Sequence, residues 1–227
     1  MKSSDEHNVL IISDTHLPFE LPNYLDFVLD IQKRCHCKKV VHIGDLVDNH
    51  SISYHEHDPN GKSPEDEMKE ADKHLQRWYK AFPKVHLCRG RHDDMVDRKG
   101  KTVGLPERVF RPFRHIWNLP KGWIDAFEFQ IDNVRYIHGT GYSGRYPHIQ
   151  LAYDSRQSAV MGHTHSTAGV GWLANSKNCI FGMAVGCGID RKRYAFAYGK
   201  DHRRKPIVSC GVVTDRGRFA QVFPMQL

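Results

Sequence analysis

The stretch NVLIISDTH, residues 8–16, joins an apolar run to an acid and an imidazole two positions apart. Four consecutive aliphatic side chains from Val9 to Ile12 read as a short β-strand. Asp14 and His16 follow where the run stops. The same grammar recurs along the chain. Residues 39–44 form a second apolar run that ends in GDLVD at 44–48. Residues 84–88 form a third and lead into GRHD at 90–93. Residues 134–137 end in His138 and Gly139, and residues 159–161 lead into GHTH at 162–165. Strand ends in open α/β sheets are where loops gather into sites. A buried Asp or His there needs a partner, and a cluster of them attracts a cation. Residues i and i+2 of an extended segment share a face, so Asp14 and His16 are expected to point together, as are His163 and His165. Gly44, Gly90 and Gly162 are expected to let the backbone turn sharply beside them. One such pair alone is most often an ordinary surface or core pair; five in order, each after a strand, carry function.

Between these blocks the pattern alternates. Residues 21–35 place Leu25, Val28 and Leu29 at helical spacing behind Pro22. Ser63, Pro64 and Glu65 open a long helix with Met68, Ala71, Leu75, Trp78 and Phe82 on one face. Residues 51–60 read as a loop, and residues 105–117 as a weaker helix that Pro112 interrupts. Later segments are mostly strand-like: 126–131, 168–173, 179–185, 194–198, 207–214 and 218–223. Alternating units followed by strands predict two packed sheets flanked by helices, in one α/β domain over residues 1–227.

Composition narrows the function classes. With 40% hydrophobic and 26% charged residues, neither disorder nor a membrane protein is indicated. The longest aliphatic run is far too short to span a bilayer. The N-terminal MKSSDEHN has no signal-peptide hydrophobic stretch, so a soluble cytoplasmic protein is expected. The six cysteines include no C-x-x-C pair and read as reduced and inert. The net charge of +7 favours anionic partners such as nucleic acid, nucleotides or phosphorylated molecules. Residues 191–205 alone hold seven basic groups against one acidic, with Tyr194, Phe196 and Tyr198 alternating among them. Two readings stay open there: a surface for backbone phosphates and stacked bases, or a core strand between solvated basic ends. The loop with His50, His55, His57 and Asp58 is either polar surface, a further metal site or a wall of the substrate cleft.

The five blocks, in their order, resemble the calcineurin-like metallophosphoesterase superfamily, whose pattern is D-x-H, G-D-x-x-D, G-N-H-D/E, H and G-H-x-H. GMAVGCGIDRKRYAFAYGK, residues 182–200, looks like small phage-encoded members. The resemblance implies a four-layer αββα sandwich of two mixed sheets flanked by helices, and two divalent metal ions. The first ion would take Asp14, His16, Asp45 and His165. Asp45 would bridge to the second, which would also take His138 and His163. Mixed carboxylate and imidazole ligands suit Mn²⁺, Zn²⁺ or Fe. The implied activity is hydrolysis of a phosphodiester or nucleotide-type phosphate ester by a metal-activated hydroxide, with His92 as general acid oriented by Asp48. Asp48 as a helix cap is the alternative. The implied setting is cytoplasmic, in the host cell if the chain is phage-encoded.

One residue departs from the pattern. Arg91 stands where the family has the Asn that ligates the second ion. Arginine carries five donors and no acceptor, so it cannot replace that ligand. Arg91 is an inactivating change, or grips the substrate phosphate bidentately, or turns to solvent while water fills the ligand position. The expected consequence is a weakly held second ion and slow turnover. Arg145, in the Gly-rich loop after His138, is a candidate substrate contact or part of a flexible loop. Expected partners are thus a phosphate-ester substrate, with nucleic acid or a nucleotide as candidates, and no membrane; the oligomeric state stays open. The alternative classes are a binding protein with a degraded site, for nucleic acid or phosphorylated partners, and a protein phosphatase.

Overall fold

The computed structural model describes residues 4–200 and 202–226, with side chains omitted at Ser4, Asp5 and Tyr198. Tyr198's ring and Asp201, both within the basic segment, therefore lie outside the described residues. The chain runs through β1 (Val9–Ile12), α1 (Tyr24–Arg34), β2 (Lys39–His42), α2 (Pro64–Ala81), β3 (Val85–Cys88), α3 (Met95–Thr102), α4 (Phe113–Ile116) and β4 (Trp123–Ala126). It continues through β5 (Glu128–Ile131), β6 (Val134–Ile137), α5 (Pro147–Ser155), β7 (Ala159–Met161), β8 (Ala168–Ala174), β9 (Cys179–Val185), β10 (Ser209–Thr214) and β11 (Phe219–Pro224).

β1 is central to the first sheet, whose order is β11-β10-β1-β2-β3-β4. Its period of two sorts its side chains between two cores. Leu10 and Ile12 pack with α1 and α2, while Val9 and Ile11 pack between the sheets. β1, β2, β3 and β4 are parallel, so the residues that follow β1, β2 and β3 emerge at one edge. The second sheet has the order β5-β6-β7-β9-β8, with β6, β7 and β9 parallel. Its Tyr136, Val160 and Met183 meet Ile11 and Val41 of the first sheet. Leu151 and Ala152 of α5 cover its other face against Ala159 and Met161. Helix, sheet, sheet and helix layers result, as expected. Among the described residues no helix is long and apolar enough to cross a membrane.

The long helix follows its sequence signals. The Ser63 hydroxyl accepts the Asp66 N–H at 3.2 Å, and Pro64 sits in the first turn, where its missing donor costs nothing. Ala71, Leu75 and Trp78 are buried along one stripe, and Trp78 stacks on Phe82 at 5.9 Å between ring centroids.

Several expectations are corrected. Residues 105–117 form no single helix. Pro106 and Pro112 take extended ψ values of 144° and 143°, leaving a 3₁₀ turn at Glu107–Val109 and the four-residue α4. Residues 126–131 are not one strand, because the chain leaves the first sheet after Ala126 and enters the second at Glu128. Residues 194–198 form no strand: Tyr194–Gly199 is a kinked 3₁₀ turn. Helices α3 and α5 are additional to the elements expected.

Beneath the strand ends lies His42, buried and neutral. Its Nδ1 accepts the Gly44 N–H at 3.2 Å, so Nε2 carries the proton that faces Thr15 Oγ1 at 3.1 Å. Thr15 in turn donates to the Leu46 carbonyl at 3.0 Å. Burial pushes its pKa down from 6.5 to about 3. The unfolded chain therefore binds a proton at this residue below pH 6.5 that the folded chain refuses until about 3. The stabilisation is complete above the higher value and is lost as pH falls, at up to about 1.4 kcal/mol per pH unit. Urea unfolding across this window is expected to show a shallower acid decline in His42→Gln than in the parent.

Candidate metal centre

The five motif blocks meet at the adjoining ends of the two sheets. Asp14, His16 and Asp45 come from the loops after β1 and β2, and His138, His163 and His165 from the loops after β6 and β7. Asp14 Oδ1 lies 3.2 Å from His165 Nε2 and 3.8 Å from His16 Nε2. Asp45 Oδ2 lies 3.8 Å from His16 Nε2 and 3.0 Å from His138 Nε2. Two trios of the expected ligands result, Asp14–His16–His165 and Asp45–His138–His163, each with its ligand atoms within 4.8 Å of one another; a third, His16–Asp48–His92, shares His16. Asp45 touches a member of each trio.

The outward-facing atoms of Asp14, His16, Asp45 and His138 are tied down. Asp14 Oδ2 accepts the His163 N–H at 3.0 Å and the Ser13 hydroxyl. Asp45 Oδ1 accepts the His92 N–H at 2.8 Å. His16 Nδ1 bonds Asp48 Oδ1 at 2.6 Å, and His138 Nδ1 donates to the Ile43 carbonyl at 2.9 Å. Such outer partners fix ring orientation and leave Nε2 for a metal. Asp14 Oδ1 and His138 Nε2 are buried and make no hydrogen bond. Unmade bonds of this kind cost about 1–3 kcal/mol each, and a cation removes that cost. Two carboxylates and four imidazoles converging with orphaned donor atoms fit a divalent metal.

The route to convergence differs from the expected one. Asp14, His16, Asp45 and His163 have φ of 47°, 49°, 48° and 66°, so they lie in left-handed turns rather than on extended strand ends. The turns are held as a pair: His16 N–H donates to the Asp45 carbonyl at 3.0 Å and Leu17 N–H to the Leu46 carbonyl at 2.9 Å. Backbone strain of this sort concentrates at functional sites. Gly44 has φ +97°, the conformational role expected of it. Gly90 and Gly162 serve through space instead, since a Cβ would lie 2.2 Å from Asp45 Oδ1 at Gly90 and 1.9 Å from Ser13 Oγ at Gly162.

Charge is balanced within the cluster. Burial alone would raise the Asp14 and Asp45 carboxyls, but the surrounding imidazoles hold both below the usual range. Burial would lower His138, yet Asp45 raises it to about 9. Burial and the charge of His138 lower His163. Imidazolium protons occupy the role of a cation here, and metal binding releases them.

His92, from the loop after β3, stands beside this cluster. Its Nδ1 bonds the Asp48 carbonyl at 2.6 Å and lies 3.2 Å from Asp48 Oδ1. Asp48 thus touches both His92 and His16, and makes no helix cap; Asn49 precedes the following 3₁₀ turn. Arg91 is exposed, and among the described residues its guanidinium makes no hydrogen bond or ion pair. It lines a cavity of about 560 Å³ over Asp45, together with Tyr54, His92 and Arg98. Arg145 is exposed, stacks over Tyr146 at 5.3 Å and lines neither this cavity nor the basic one beside it. His50 is buried, with its backbone N–H on Glu67, and His55 reaches the cavity wall.

Three contributors went unassigned in the sequence. Phe196 lies edge-on to His16 at 5.6 Å, and Arg98 donates to the Arg91 carbonyl at 3.1 Å. The alternation of Tyr194, Phe196 and Tyr198 points elsewhere, to a strand or to stacked bases, and Arg98 has no local signal. Asp93 does, as the last residue of GRHD. Its carboxylate accepts N–H groups from Leu46 at 2.9 Å, Val47 at 3.2 Å and Gly90 at 2.8 Å, tying the second and third loops together. An amide presents donors to some of these donors. Asp93→Asn is expected to destabilise the fold by about 2–3 kcal/mol, read by chemical denaturation.

A layered α/β fold thus carries a metal-fitting carboxylate–imidazole cluster at its strand ends. The model of the calcineurin-like phosphoesterase superfamily domain matches residues 8–171, most of the chain, and the chain belongs to that superfamily. Similar solved structures include vacuolar protein sorting 29 from Cryptosporidium parvum, at 14% identity and TM-score 0.46, covering 97% of each chain. YfcE, a phosphoesterase from E. coli, is 15% identical with TM-score 0.40, over 96% of this chain and 100% of that one. A metallophosphoesterase from Sphaerobacter thermophilus is 15% identical with TM-score 0.45, over 97% of this chain and 88% of that one. No curated protein matches the sequence.

Proposed function

We propose that the chain hydrolyses a phosphodiester or nucleotide-type phosphate ester at a two-ion centre, for which Mn²⁺, Zn²⁺ or Fe are the fitting ions. The supporting observation is the two trios joined through Asp45, with orphaned atoms aimed between them. Divalent ions there would supply an acidified water and neutralise phosphate charge. Asp14, His16, Asp45 and His165 hold one ion; Asp45, His138 and His163 hold the other. His92 donates a proton to the leaving oxygen through Nε2, because Nδ1 is held by Asp48. Burial disfavours its imidazolium, but Asp45 and Asp48 outweigh burial and raise its pKa. Arg91 cannot ligate, weakens the second site and grips the substrate phosphate from the cavity mouth.

The same reading takes residues 1–227 as one catalytic domain; in its support, β10 lies beyond the family match yet pairs with β1. Six free thiols suit a cytoplasmic setting, in the host cell if the chain is phage-encoded. The test is turnover of bis-p-nitrophenyl phosphate against p-nitrophenyl phosphate with Mn²⁺. Diester turnover that a chelator abolishes is expected. Inertness of both this chain and Arg91→Asn, with Mn²⁺, Zn²⁺ and Fe²⁺ alike, overturns the proposal and favours a binding protein with a degraded site. His92→Ala is expected to lower turnover about 10²–10⁴-fold. Its metal content by elemental analysis is expected to match the parent; loss of metal would count against the assignment.

A further inference from the structure

The cavity over Asp45 is not a blind pocket. A second cavity, of about 730 Å³, lies beside it and shares His163 and His165 in its lining. Two candidate ligands, His163 and His165, thus line both cavities, and Asp45 lines the first. Arg91 and Arg98 wall the first. Arg191, Lys192, Lys200, Arg204 and Lys205 wall the second. Among the described residues none of these seven cations makes an ion pair. Elsewhere on the surface Lys39, Arg89 and Arg135 all do.

The second basic wall is fixed to the metal centre rather than loosely tethered. Phe196 is 6% exposed, packed edge-on against His16 at 5.6 Å and against Phe19 at 6.2 Å. Arg193 lies over the Phe19 ring at 5.5 Å. Buried aromatic footings therefore hold solvated cations beside a candidate ligand.

We propose that this two-ended groove binds a single strand of nucleic acid, with an internal phosphodiester at the metal centre and flanking phosphates against the two basic walls. The position of the scissile bond rests on the phosphoesterase reading above. A terminal monoester places its remaining body on one side only and leaves one basic wall idle. A strand carries charge away from the centre in both directions. The floor is recessed, with Asp14, Asp45 and His138 at most 3% exposed. A flexible strand can dip one phosphate to that depth, whereas a duplex is a stiff rod. In the reaction, water gives up a proton to solvent as its oxygen bonds to phosphorus, one phosphorus–oxygen ester bond breaks, and His92 protonates the leaving sugar oxygen. The products are a strand ending in a phosphate monoester and a strand ending in a hydroxyl.

The test is fluorescence anisotropy of labelled oligodeoxythymidine on the full chain in EDTA, across a salt series. Expected is binding with a log–log salt slope of about −0.7 per phosphate contact. Joint substitution Lys200→Gln, Arg204→Gln and Lys205→Gln is expected to shrink that slope by about 2. Arg191→Gln with Lys192→Gln serves as a second variant should the first fail to fold. Circular single-stranded DNA, which lacks ends, is expected to compete as well as linear DNA. Absence of binding at low salt, an unchanged slope in a folded variant, or stronger competition by a duplex overturns the inference. Bis-p-nitrophenyl phosphate turnover is measured alongside. Turnover without strand binding overturns this inference alone. Strand binding with no turnover in this chain or in Arg91→Asn upholds the groove and overturns the phosphoesterase reading.

Discussion

Asp45→Asn is expected to lose bound metal and all measurable phosphoesterase turnover. Asp45 Oδ2 faces His16 at 3.8 Å and His138 at 3.0 Å, so it is the carboxylate that reaches a member of each trio. The amide removes a negative charge that both sites use. If its nitrogen takes the inward position, it also presents donors where lone pairs are needed. Outer partners of metal ligands already cost about 10–100-fold when removed, so loss of a shared ligand exceeds that range. The change is nearly isosteric, and His92 N–H can still donate to an amide oxygen in the Oδ1 position, so the fold survives. Elemental analysis and circular dichroism on the same sample check this. A folded Asp45→Asn with full metal content would remove the basis for the centre.

Arg91→Asn is expected to act in the opposite direction, raising affinity for the second ion at least about tenfold and raising turnover with it. The backbone at this position already lies against the site, because the next residue, His92, donates its N–H to Asp45 Oδ1 at 2.8 Å. A short side chain with an acceptor oxygen starts next to the second trio. The long guanidinium instead stands exposed at the cavity mouth, contributing charge without a lone pair. Isothermal titration with Mn²⁺ on both proteins, followed by diester kinetics, checks the expectation. Equal stoichiometry and equal rates would mean that position 91 has no part in metal binding.

The order of the ligands was legible because each follows an aliphatic run, and aliphatic runs become strands wherever they are placed. Their convergence was legible from type alone: acids and imidazoles at strand ends need company. The manner of convergence was not. Left-handed φ at Asp14, His16 and Asp45 is imposed by the pairing of two loops distant in sequence, and local spacing carries no trace of it. Residues 194–198 alternate as a strand does, yet Phe196 is drawn inward by His16 and Phe19 and the segment coils. Half of α3 is charged and it contains Gly100, so its helical period is faint. Arg98 and Tyr54 reach the cavity only through folding, and nothing near them in sequence announces it.

The two trios draw on opposite halves of the molecule, Asp14, His16 and Asp45 on one sheet and His138, His163 and His165 on the other. A cation lodged among them acts as a clasp across the seam where the sheets press together. Occupancy and closure of that seam are then one equilibrium: ion at a hundred times its dissociation constant tightens the closed form by about 2.7 kcal/mol. The catalyst and the fastener are the same atoms, so starvation for metal loosens the architecture at the very place where it silences the chemistry.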